Sequence, residues 1–99
     1  MNIQHTHTER GGSFFIGDPA APSAKLVYRM AGPHKMIIDH TEVNEHKHEG
    51  VGTHLVNAAA SYARQHQIKI LPICHFAKSI MENSDEYTDV LAAPAGSNN

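Results

Sequence analysis

The sequence predicts an α+β fold of α/β character: a compact domain with a mixed sheet built around a central βαβ unit. Three observations carry that expectation. Residues 25–30 (KLVYRM) alternate, with Leu26, Tyr28 and Met30 on one face and Lys25 and Arg29 on the other, and 36–43 (MIIDHTEV) begins as a continuous apolar run before alternating. From Glu49 the period lengthens, and Val51, Leu55, Ala58, Ala59 and Tyr62 recur at helical spacing. A second β-rich run, 68–73 (IKILPI), follows, so 36–73 has the length of a right-handed crossover between parallel strands.

The remaining elements follow in order. Residues 1–12 are polar and read as frayed, or strand-like at best. Ser13–Ile16 (SFFI) reads as a short strand, and GDPAAPS as a turn-rich connector. AGPHK is a second turn before the central strand. The helix starting near Glu49 is rich in Ala, Leu, Arg and Gln and is expected to run to about His66. Pro72 belongs at a strand end or edge, because proline cannot donate to a ladder. Phe76–Glu82 (FAKSIME) suits a short helix, and the tail APAGSNN has the composition of an unstructured end.

Size and composition narrow the function. A chain of 99 residues suits one domain, with its core expected over about residues 13–91. The formal net charge of −2 argues against nucleic acid, whose binders usually carry a basic stripe. No apolar run approaches the roughly 20 residues of a membrane span, and the polar start MNIQHTHTERGG does not read as a signal peptide. Cys74 is the single cysteine, which suits a reducing, cytoplasmic setting. Nine histidines give a surface that mild acidification would turn positive.

The stretch EHKHEGVGTHLV, residues 45–56, joins the central strand to the helix and carries two glycines one residue apart. A strand, a Gly-x-Gly turn and a helix suit an anion, since the first N–H groups of a helix have no internal partner and its dipole favours negative charge. Gly50 and Gly52 would let a phosphate approach the backbone, Thr53 could add a hydroxyl and Lys47 a cation. The turn is neither a P-loop nor a dinucleotide fingerprint, whose spacing it lacks. Taken alone, it reads more readily as a helix start lying close to the sheet.

Three motifs in order extend that reading. They are His40-Thr41-Glu42-Val43, then Lys47-His48-Glu49-Gly50-Val51-Gly52, then Pro72-Ile73-Cys74-His75-Phe76 with Glu86-Tyr87 after it. With them the chain resembles the GNAT superfamily of acetyl-CoA-dependent N-acetyltransferases over residues 13–91, and within it a short subfamily reduced to the acetyl-CoA-binding core. The resemblance implies a mainly antiparallel sheet whose central strands splay, with acetyl-CoA lying in the gap. It places the pyrophosphate on Lys47, His48, Glu49, Gly50, Val51, Gly52 and Thr53, and the thioester arm along Glu42, Val43 and Asn44. Lys47 stands where the family usually has Arg or Gln, Glu49 puts a carboxylate in the loop, and Ile80 occupies a position often held by Tyr. The helices that build much of the acceptor site in larger members have no room before the central strand.

The catalytic candidates are Cys74, His40 and Glu42. Cys74 ends the second parallel strand, where its sulfur could act as a general acid to a departing thiolate or as an acyl-accepting nucleophile, or could be an inert buried thiol. His40 and Glu42 share a strand face and could relay a proton from an incoming amine. Tyr87 is expected to cap the core. His46, His48 and His54 surround the glycine turn, with His5 and His7 near the start, but no Cys pair or HExxH motif accompanies them. A solvated histidine-rich loop is expected, with no specific metal site. The leading expectation is therefore acetyl transfer from acetyl-CoA to an amine acceptor that the sequence does not name. A non-catalytic acyl-CoA-binding module and a metal- or proton-responsive histidine protein are the alternatives.

Overall fold

The computed structural model describes residues 2–44 and 50–92. Five strands form one sheet in the order β1 (Ile3–Thr8), β2 (Gly11–Asp18), β3 (Ala21–Met30), β4 (Lys35–Val43) and β5 (Lys69–Pro72). The first three pairings are antiparallel, and β5 runs parallel to β4. Helix α1 (Val51–Gln65) makes the crossover from β4 to β5, α2 (His75–Glu82) follows β5, and a 3-10 turn spans Asp85–Tyr87. The mixed sheet, the central βαβ unit and Pro72 at the end of β5 agree with the sequence.

The core lies between the sheet and the helices. Leu26, Met36, Ile38, Leu55, Val56, Ile70 and Met81 are fully buried there. The inward stripe of α1 is wider than the periodicity implied. Val51, Leu55 and Ala59 are buried as expected, but Val56, Ala60 and Ala63 are buried too, while Ala58 and Tyr62 are only half-buried. Two stripes are needed because α1 packs on β2 to β5 and also against α2. The helix ends without glycine. Gln67 takes a left-handed φ of 53°, and Ile68 N–H donates back to the Ala63 carbonyl at 2.8 Å, the closure usually built around Gly.

Two sequence expectations are corrected. The polar start is a regular strand, β1, in full register with β2 from Ile3↔Ile16 to Thr8↔Gly11. A histidine fills its inward side: the ring of His5 stacks on Phe14 at 4.0 Å and nearly parallel, and its Nε2 lies 2.7 Å from the Tyr28 hydroxyl. The GDPAAPS segment is mostly strand as well, since β3 begins at Ala21. Pro22 is accommodated because it pairs with Gly17 beside a register shift. At the other margin, Leu91 makes a parallel bridge to Ile70. Ile70 N–H donates to the Val90 carbonyl and Ala92 N–H to the Ile70 carbonyl, at 2.6 and 2.8 Å.

Leu55→Ala removes a fully buried side chain from the centre of the α1 contact and is expected to cost about 2–5 kcal/mol, read as a lowered midpoint in urea unfolding. His5 gives a pH prediction. Burial, then the charges of His7 and His66, hold its pKa below the ordinary imidazole value. The unfolded chain therefore binds the extra proton first, so this contribution to stability is intact above pH ~6.5 and is lost as the pH falls towards the folded-state pKa. His5→Phe keeps the stack on Phe14 and removes the titration. Urea midpoints at pH 7.5 and 5.5 should fall less between the two values in that variant than in the wild type.

Candidate functional site

Parallel pairing of β4 and β5 runs from Lys35↔Lys69 to Ile38↔Pro72 and then stops. Pro72 has no N–H with which to continue the ladder. The carbonyl of Ile38 instead accepts both Ile73 N–H and Cys74 N–H, each at 3.1 Å. Beyond that point the strands part, and among the described residues nothing pairs with Asp39–Val43 on the β5 side. The pairing thus ends where the resemblance implied a splay, and it ends at a single carbonyl group.

A bulge sits at the same level. Val27 pairs with His40 and Tyr28 with Ile38, which leaves Asp39 as an extra residue in β4. An extra residue inverts the alternation of everything after it. Ile38 faces the helices, and simple alternation would carry His40 and Glu42 to the same side. Instead Thr41 lies opposite buried Leu26 and Val43 opposite buried Ala24, so these two face the helices. His40 and Glu42 are exposed on the outer face, opposite Val27 and Lys25. Lys25 Nζ holds a Glu42 carboxylate oxygen at 3.2 Å. The bulge residue Asp39 is likewise held on that face by Arg29, whose Nε lies 3.0 Å from one carboxylate oxygen. The three catalytic candidates are therefore not brought together: Cys74 meets Thr41, and the other two lie behind the sheet.

Cys74 is the N-cap residue of α2, in extended conformation, and is half-buried. Its Sγ lies 3.6 Å from Thr41 Oγ1. Burial pushes the thiol pKa up, but the Ala77 amide, the Thr41 hydroxyl and the amides of Phe76 and Thr41 oppose it, and the net shift is downward. No side-chain hydrogen bond caps α2, so the Ala77 and Phe76 amides act on the sulfur as nearby dipoles at a helix start rather than as a formed cap. The thiol donates to the Thr41 hydroxyl when protonated. As a thiolate it accepts from that hydroxyl.

The α1 start differs from expectation at one of its two glycines. Gly50 caps the helix with φ 75°, and a side chain there would meet open space apart from the edge of His54. It needs glycine for its backbone and leaves room for a ligand. Gly52 is buried, and a Cβ on it would fall 2.4 Å from Cζ of Phe76. Its missing side chain makes room for the Phe76 ring, a packing role that the sequence reading assigned to phosphate approach. That ring seats α2 against the first turn of α1. With Ile73 it leaves an exposed apolar patch on both sides of Cys74: the two side chains are 53% and 43% exposed for Ile73 and Phe76. Val51 is buried and Thr53 exposed at the same turn, and no acidic residue lies in it. Val43 is half-buried beside the gap, and Asn44 binds back to β3, its N–H on the Ser23 carbonyl and Nδ2 on that of Pro22. Lys47, His48 and Glu49 lie outside the described residues, as does His46.

Thr41 is the site residue that sequence reasoning passed over, since it lay inside a quoted motif but on the parity assigned to the opposite face. Tyr87 caps the core as expected: it is buried, and its hydroxyl donates to Asn57 Oδ1. Among the described residues no group of three or more His, Cys, Asp or Glu side chains is arranged to hold a metal ion. Among the described residues no helix is long and apolar enough to cross a membrane.

Comparison with known proteins places this geometry. The solution NMR structure of a GCN5-like putative N-acetyltransferase from Staphylococcus aureus is similar at TM-score 0.73 and 33% identity, over 96% of this chain and 93% of that one. The crystal structure of a ribosomal-protein-alanine N-acetyltransferase from Brucella melitensis biovar Abortus 2308 shares the fold at TM-score 0.62 and 14% identity, over 93% of this chain and 69% of that one. No curated protein matches the chain in sequence. The family model for GCN5-related N-acetyl-transferases matches residues 13–90. With a sheet opened at Ile38, a glycine-capped crossover helix and that match over most of its length, the chain belongs to the GCN5-related N-acetyltransferase family.

Proposed function

We propose that the protein binds acetyl-CoA in the gap between β4 and β5 and passes the acetyl group to an amine by way of Cys74. The observation that carries this reading is the position of the Cys74 sulfur: at the apex of the opened sheet, beside Thr41, with a pKa held below its ordinary value. Bound acetyl-CoA would supply an activated acyl thioester. The N-terminal amides of α1, from Val51 to Thr53, lack helical partners and suit its pyrophosphate, next to the open space at Gly50. Ile73 and Phe76 suit its apolar arm. His40, Glu42, Val43 and Asn44 divide accordingly. Val43 borders the gap, Asn44 anchors the strand end, and His40 and Glu42 stand on the far face.

Cys74 attacks as thiolate. Its sulfur forms the new bond to the acetyl carbon as the bond to the coenzyme sulfur breaks, and the departing thiolate takes up a proton. A neutral amine then attacks the acetyl-cysteine, loses a proton, and releases Cys74 again as thiolate. A lowered thiol pKa favours this role over that of a general acid. The amine acceptor and a cytoplasmic setting remain expectations from the sequence. One observation favours a second reading, a non-catalytic acyl-CoA-binding module: neither His40 nor Glu42 shares the sulfur's face, so β4 offers no general base there.

Two measurements test the proposal. Alkylation of Cys74 by iodoacetamide should reach half its maximal rate at a lower pH than a free cysteine does. Thr41→Val, which removes the hydroxyl donor, should move that midpoint upward. An unmoved midpoint would leave Thr41 without influence on the thiol. In the second, Cys74→Ser should bind acetyl-CoA with near wild-type affinity by calorimetry while losing transfer to a panel of amines by about a hundredfold or more. Intact mass should show one acetyl group on the wild-type protein and none on the variant. Binding without acetylation or turnover in the wild type would establish the module reading instead.

A further inference from the structure

A cavity of about 680 Å³ opens at the other end of the crossover helix, where Tyr62 and His66 of α1 meet Tyr28 and Met30 of β3 and the β1–β2 turn. Tyr62 lies eleven residues along α1 from Val51, or roughly 16 Å at the helical rise per residue. None of Thr41, Val43 and Cys74 lines the cavity. Its volume falls within the range usual for small-molecule sites, about 300–1,000 Å³.

Its walls are aromatic. Tyr62 and His66 lie ring to ring at 4.4 Å, His7 stands 6.1 Å from Tyr62, and His5 approaches Tyr62 edge-on at 4.6 Å from behind. The Tyr28 hydroxyl is engaged by His5 Nε2. Burial and then Tyr62 push its pKa up to about 12, so it stays a neutral phenol. With histidines neutral, the one formally charged side chain among the described lining residues is the carboxylate of Glu9, in the exposed turn between β1 and β2. No lysine or arginine lines the cavity. Ring faces and a carboxylate both favour positive charge, and nothing charged on the wall opposes it.

The kind of cation is set by what is missing. A metal ion needs several side chains converging on a point, and no such group exists among the described residues. An organic ammonium ion needs none, because it is held by π faces and a single counter-charge, with its methyl or methylene groups against apolar wall such as Met30 and Ile68. We propose that this cavity binds a small organic ammonium ion. The inference does not rest on the acyl-transfer reading.

Choline is a suitable probe, with 3,3-dimethyl-1-butanol as its neutral counterpart of the same shape. Amide NMR spectra of the full chain at pH 7.5, titrated with each, should show choline moving the signals of Thr8, Glu9, Tyr62 and His66. The alcohol should bind about fivefold or more weakly. Glu9→Gln, in an exposed turn that should fold unchanged, should weaken choline about threefold and leave the alcohol as it was. Tyr62→Leu should reduce choline binding further, with circular dichroism confirming the fold. Equal binding of choline and the alcohol would make the cavity an apolar site and overturn the proposal. So would shifts mapping elsewhere, or no response to either probe.

Discussion

The Ile38 carbonyl is the point on which the architecture turns. It accepts two amide N–H groups from successive residues, and in doing so it ends the only parallel pairing among the described strands. Had β5 continued in register, β4 would be saturated on both sides and the sheet would be closed. Pro72 makes continuation impossible from one strand, and the Asp39 bulge bends the other at the same level. Two local defects coincide, and between them they end the pairing of β4 with β5. The backbone groups of β4 left without a strand neighbour are then available to an extended ligand.

Much of this was legible in the residues. The apolar runs at 13–16, 36–43 and 68–73, the alternation in Lys25–Met30, the period change at Glu49 and the pattern at Phe76–Glu82 located four of the five strands and both helices, because each reports a face that must be buried. β1 was not legible, since its inward side is occupied by histidine. His5 does the work of an aromatic, lying on Phe14 with its polar tip on Tyr28, and an alternation of His and Thr does not look apolar. Pro22 hid the start of β3 in the same way, because only the register shift at Gly17 makes a proline admissible there.

The site was read with less success for a related reason. The motifs were quoted correctly, but their side chains were assigned by counting along a strand, and a bulge changes the count. Asp39 carries no signal that distinguishes it from an ordinary polar strand residue, so His40 and Glu42 were expected at the chemistry and Thr41 went unconsidered. Gly52 shows a packing demand that the sequence did not announce. A glycine in a phosphate-like turn was read as room for a ligand, and the room its side chain would take is filled by the ring of Phe76, 24 residues further along the chain. Helix packing is nonlocal, and a missing side chain does not announce which neighbour needs the space.

The bridge from Leu91 to Ile70 has a consequence for how this small protein behaves among copies of itself. A short apolar strand at the margin of a sheet is a template for strands of other molecules, and proteins protect such margins in various ways. Here β5 has four residues, and the backbone bonds of Ile70 with Val90 and Ala92 cover its outer side. So slight a cover suffices because so little strand needs it. The last described residues thereby leave this short strand without an open edge that neighbours could extend.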